Sequence, residues 1–145
     1  MATDRTAKVT WTGSLMDGSG RIEGVGSGAF GPLDVTWLSR ADTPDGRTSP
    51  EELIAAAWAS CFSMALSHAL AGVGTPPERL ETSATVTFQP GEGIIKGAIT
   101  VVGTVPGADH STFLEHAEGA KTNCPVSKAL TGIPEVTLDA TLATA

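Results

Sequence analysis

Charge is scarce in this chain. Asp, Glu, Lys and Arg together make up 17% of its 145 residues, and the nine basic ones are scattered through a sequence of net charge −7. Phosphate backbones and anionic bilayers are held by clustered Lys and Arg, so nucleic acid and membrane are not expected partners. No apolar stretch reaches the ~20 residues needed to cross a bilayer. The opening residues lack the hydrophobic segment of a signal peptide, so the expected location is the cytoplasm. Cysteine is also scarce. Two in a cytosolic domain of this size do not make a disulfide scaffold; each is an inert core residue, a metal ligand or a redox group. Close-spaced metal-ligand pairs such as C-x2-C or H-x3-H are missing, which argues against a zinc site. The three histidines read as surface or core residues, with His68 the one placed for a polar core contact.

Apolar residues are plentiful at 41%, enough for a core in one domain spanning 1–145. A low-charge surface also hints that a second copy covers part of it. Alternation predicts strands over 8–16, 21–27 and 33–39, the first two joined by a turn at "DGSG". The third places Leu33, Val35, Trp37 and Ser39 on one face, and a polar loop carrying Arg40 and Arg47 follows. Ser49-Pro50-Glu51-Glu52 is a capping signature, with Ser at the N-cap, Pro at the first helical position and Glu52 at N3. It opens a helix predicted over 50–71. A hairpin follows over 81–90 and 94–105, then a helix over 110–123 that spaces Phe113, Ala117 and Ala120. A short helix over 124–132 and a strand over 135–143 close the chain. Grouped, hairpin-linked elements point to an α+β fold with largely antiparallel sheets.

Cys61 lies in the middle of the long helix, whose small and apolar residues surround it on nearly every side. Such a helix is expected to be central, wrapped by sheet or by a partner chain. Cys124 starts another helix, where unpaired N–H groups favour thiolate. For redox work a thiolate needs a cation beside it and an anchor for that cation. Arg40 and Arg47 are candidates for the first role, Glu51 and Glu52 for the second. Glu51 and Cys61 are ten residues apart, ~15 Å along one helix. Two copies of the helix packed antiparallel would bring Glu51 of one beside Cys61 of the other, which predicts a homodimer if Glu51 serves the thiol. The apolar neighbours Trp58, Phe62, Met64 and Leu66 suggest a pocket for alkyl or aryl groups.

The segments "PEELIAAAWASCFSMAL" and "NCPVSKAL", with "PGADHSTF" between them, resemble the osmotically inducible protein C (OsmC) family, relatives of the organic hydroperoxide resistance proteins (Ohr). Valine in "CPVS" is more similar to the OsmC branch. The resemblance covers nearly the whole chain. It implies an intertwined α+β homodimer whose antiparallel sheets wrap a long central helix, with two interface sites and no metal, haem or flavin. It implies Cys61 as the peroxide-attacking cysteine, Cys124 as the resolving one, Glu51 as the active-site glutamate and Arg40 as the arginine, with Arg47 and more remotely Arg21 as alternatives. The implied activity is reduction of organic hydroperoxides through a Cys61–Cys124 disulfide, recycled by a dithiol such as a lipoylated protein. The rivals are a non-catalytic dimer that binds a hydrophobic ligand, and a thiol hydrolase or acyl-transferase using His68 as base.

Overall fold

Glycine placement and helix caps decide where the elements break. A computed structural model describes residues 1–143; the last two residues of the expected domain lie outside it. The chain divides into two compact units, Met1–Leu53 and a second that begins at Ile54.

In the first unit, β1 (Ala7–Thr12), β2 (Ser19–Val25) and β3 (Leu33–Val35) form an antiparallel sheet in that order. The first strand stops four residues short of expectation, because Gly13 takes φ +94° and the Gly18 N–H closes a turn on the Ser14 carbonyl at 2.8 Å. Trp11 lies over Gly20, its register partner, where any side chain would strike the ring. β1 is exposed along its whole length, Val9 and Trp11 included.

The third strand is a correction. It ends at Val35, and Trp37 and Ser39 belong to a short helix, α1 (Trp37–Ala41). Thr36 caps it reciprocally: its Oγ1 accepts from the Ser39 N–H at 3.0 Å, and Ser39 Oγ accepts from the Thr36 N–H at 2.9 Å. Ser39 also donates to the carbonyl of Thr48, tying the helix to the next segment. Arg40 therefore stands on a fixed helical turn and not in a loop.

The long helix α2 (Pro50–Gly72) starts in the first unit and continues into the second. Its start is as expected in one half only. Ser49 Oγ accepts from the Glu52 N–H, but the Glu52 carboxylate takes the Thr48 hydroxyl instead of returning to Ser49. At 23 residues α2 is, contrary to expectation, long and apolar enough to cross a bilayer. Trp58, Phe62, Leu66 and Leu70, spaced four apart, are nevertheless packed in a protein core. The rest of the helix is less covered than its composition predicts: 22% of its most apolar stretch is buried, and Met64 is exposed.

The second unit's sheet has the order β4 (Arg79–Gln89), β5 (Gly93–Thr104), β6 (Glu135–Leu142). The β4–β5 hairpin is antiparallel, as expected, but β6 pairs parallel to β5. A parallel neighbour requires a crossover, which α3 (His110–Asn123) and α4 (Pro125–Ala129) supply. Phe113, Ala117 and Ala120 are the buried face of α3, as their spacing predicts. Central β5 buries Ile99 and Val101, and its glycines receive aromatic rings: Trp58 lies against Gly97, and Phe113 against Gly103. Each fully buried side chain of this core contributes ~1.5–3 kcal/mol.

Candidate functional site

Arg40 and Glu51 meet first. The α1 cap sets Arg40 on the last turn of its helix, and Glu51 occupies the first turn of α2. Arg40 Nε donates to Glu51 Oε1 and Oε2 at 3.0 and 3.2 Å, and Nη2 donates to Oε1 at 2.8 Å. The carboxylate is buried and the guanidinium about one-third exposed. A planar fork on a carboxylate fixes geometry as well as charge, so Glu51 orients a cation that stays partly exposed. The alternatives are occupied elsewhere. Arg47 faces Asp45 and Arg21 faces Asp34, each at 3.4 Å and well exposed.

Cys61 and Cys124 meet in the second unit. Both are free thiols, Cys124 buried and Cys61 partly so. Cys124 is the junction of two helices, since its N–H bonds back to Ala120 of α3 and its sulfur caps α4. Cys61 packs against the buried cluster that holds Cys124, with Val126 beside it. Burial pushes the Cys61 thiol up; the Val126 N–H opposes this, while Cys124 adds to it through its hydrogen bond and charge. Among the described residues of the second unit, the Val126 N–H favours a Cys61 thiolate, and burial and Cys124 outweigh it.

Ser127, which the sequence reading did not single out, and Trp58, read there as a pocket residue, complete this cluster. Trp58 Nε1–H donates to Ser127 Oγ at 2.8 Å, Ser127 Oγ lies 3.1 Å from Cys124 Sγ, and the Ser127 N–H donates to that sulfur at 3.3 Å. The position of Ser127 at N3 of α4 was readable from "CPVS" as a capping pattern. Its tie to Trp58 was not, because 69 residues separate them.

Two expectations need correction. Trp58, Phe62 and Leu66 fill the core and do not line an opening, while Met64 points to solvent. His68 is exposed, not a polar core contact, and lies in a shallow surface cavity with Ser63, Ser67 and Arg79.

Residues 43–139 match the family model described as OsmC-like protein. The chain is 37% identical over 142 residues to peroxiredoxin OsmC of Escherichia coli (strain K12), covering 96% of each chain. Among solved structures, the organic hydroperoxide resistance protein OhrB of Bacillus subtilis matches at TM-score 0.63 and 28% identity, over 95% of this chain and 98% of that one. An OsmC-like protein from Mycoplasma pneumoniae shares the fold at TM-score 0.69 and 15% identity, over 98% and 100%. A match of this extent, in sequence and in fold, means that the chain belongs to the OsmC family.

Proposed function

We propose that this protein is a homodimeric, thiol-dependent peroxidase that reduces organic hydroperoxides to alcohols. A redox role follows from its similarity to a peroxiredoxin over nearly the full length of both chains. The observation that carries the finer reading is that Cys61 packs against the buried cluster that holds Cys124, from a distant part of the sequence. In the proposed cycle the Cys61 thiolate attacks the terminal oxygen of ROOH. The O–O bond breaks, RO⁻ takes a proton and leaves as ROH, and Cys61 becomes a sulfenic acid. Cys124 then displaces hydroxide from that sulfur, which leaves as water, and a disulfide forms. A dithiol, such as a lipoylated protein, returns two electrons and regenerates both thiols.

The cation is assigned to Arg40 and its anchor to Glu51. Since burial and Cys124 disfavour the thiolate, a positive group must be supplied from outside the cysteine cluster. Along a single α2 the ten residues from Glu51 to Cys61 rise ~15 Å; an antiparallel second copy removes that distance. The uncovered apolar surface of α2 and the exposed β1 support such a partner. Thiolate formation alone contributes little, because an ordinary thiol is already a few per cent ionised at pH 7, leaving at most a ~30-fold gain. The guanidinium must also stabilise charge developing on the peroxide oxygens, where one preorganised donor contributes ~10²–10³-fold.

Intact-mass measurement after one equivalent of cumene hydroperoxide tests the reading. Wild type should lose both thiols reversibly, Cys124→Ser should gain oxygen on Cys61, and Cys61→Ser should stay unchanged. A wild-type protein that keeps its thiols is a binder and not this enzyme.

A further inference from the structure

The Trp58–Ser127–Cys124 chain is not used by the attack on peroxide. Indole N–H is only a donor, so the 2.8 Å contact with Trp58 commits one lone pair of the Ser127 hydroxyl and leaves its proton to point elsewhere. The nearby Cys124 sulfur lies at 3.1 Å and already receives the Ser127 N–H. When Cys124 is a thiol, either partner can donate. When it is a thiolate, only the hydroxyl can, so the sulfur then accepts two hydrogen bonds from one residue. Trp58 is itself immobilised, buried with its ring against Gly97. The hydroxyl therefore has little freedom to turn away.

We propose that Ser127, oriented by Trp58, is a positioning residue for the resolving half of the cycle, holding Cys124 as the sulfur that attacks as thiolate and leaves as thiolate. The proposal rests on the peroxidase reading above. In the forward step Cys124 S⁻ attacks the Cys61 sulfenic sulfur; the S–S bond forms, the S–O bond breaks, and the hydroxide leaves as water with one proton from solvent. In the return step one thiolate of a dithiol attacks Cys61, the more exposed sulfur, and Cys124 departs as the stabilised thiolate. The second thiol of the donor then displaces Cys61, and the donor leaves as its own disulfide. Hydrogen bonds to a charged sulfur are the strong kind, so both steps depend on Ser127 while the attack on peroxide does not.

Rapid-quench mass spectrometry separates the steps, with cumene hydroperoxide as oxidant and dithiothreitol as reductant. Ser127→Ala should form the Cys61 sulfenic acid at the wild-type rate. It should close and reopen the disulfide on the order of tenfold or more slowly at pH 7. Ser127→Thr, which keeps the hydroxyl, should restore the rate, and Trp58→Phe should fall between. Closure in Ser127→Ala at the wild-type rate overturns the inference but leaves the peroxidase reading standing. Equal slowing of all steps, as a general loss of structure gives, overturns it too. Failure of wild-type Cys61 to oxidise overturns the peroxidase reading and this inference with it.

Discussion

Gly97→Ala places one methyl group where the core has no room. The added carbon would stand 2.5 Å from Trp58 Cη2 and closer still to Cζ3, whereas carbon atoms in contact sit ~3.5–4.0 Å apart. The indole must therefore retreat by about 1 Å or β5 must bend. The strand is held on both sides, Gly97 pairing with Val86 of β4 and Val136 of β6, so the ring is the part that gives. A retreat of ~1 Å carries its N–H beyond hydrogen-bonding reach of Ser127, from a starting distance of 2.8 Å. Overpacking costs ~1–3 kcal/mol and the lost buried hydrogen bond ~1 kcal/mol, offset by ~0.5–1 kcal/mol from the stiffer unfolded chain. The net loss is about 1–3.5 kcal/mol. At ~2–4 °C per kcal/mol for a chain of this length, differential scanning calorimetry of the reduced protein should show Tm lowered by about 2–14 °C. Trp58→Phe should relieve part of the clash, so the double variant should lose less than the sum of the two singles. An unchanged or raised Tm in Gly97→Ala, or strict additivity in the double variant, refutes the packing argument.

Three further outcomes are expected. Arg40→Lys keeps a positive charge but loses the fork on Glu51, so its kcat/KM for cumene hydroperoxide should fall ~10²-fold; an unchanged value means that Arg40 has been given the wrong role. Cys124→Ala removes both of the influences by which that residue raises the Cys61 thiol. The Cys61 pKa should therefore fall, and alkylation of Cys61 by iodoacetamide should set in at lower pH than in wild type. Asp109 caps α3 by accepting the Thr112 N–H at 2.7 Å, and that bond holds its carboxyl below the usual range. A lowered folded-state pKa stabilises above the ordinary aspartate value and is lost as pH falls through the lowered one. Asp109→Asn should accordingly show a smaller drop in Tm between neutral and acid pH than wild type.

What could be read from the sequence was local. Ser49-Pro50 marks the start of α2 because a cap and its orphan N–H groups lie within one turn. Phe113, Ala117 and Ala120 mark the buried face of α3 because the rest of that helix is polar enough to show a contrast. In α2 the contrast is missing. Almost every side chain is small or apolar, so composition could not tell the Trp58–Phe62–Leu66–Leu70 ridge from the face that carries Met64. Alternation misled at Leu33–Ser39, since Leu33, Val35 and Trp37 satisfy a period of two while the Thr36–Ser39 cap selects a helix at the same place. The parallel pairing of β6 was unreadable for another reason, as strand direction depends on where α3 and α4 deliver the chain and not on the strand's own residues.

The same division runs through the site. Arg40 and Glu51 were legible only as candidates beside Arg47 and Glu52, because all four lie near the start of α2; the pairing itself depends on the α1 turn that alternation had hidden. Cys61 and Cys124 were legible through the motifs around each, although no spacing rule brings them together. Ser127 was hidden because its function lies in a geometry made by three distant stretches: Gly97 seats Trp58, Trp58 turns the hydroxyl, and the hydroxyl meets Cys124. Each of the three has an ordinary reading alone, as a strand glycine, a core aromatic and an N3 serine. Their joint role follows only from donor and acceptor counting at the sulfur, where an indole that cannot accept leaves a hydroxyl with one direction in which to give its proton.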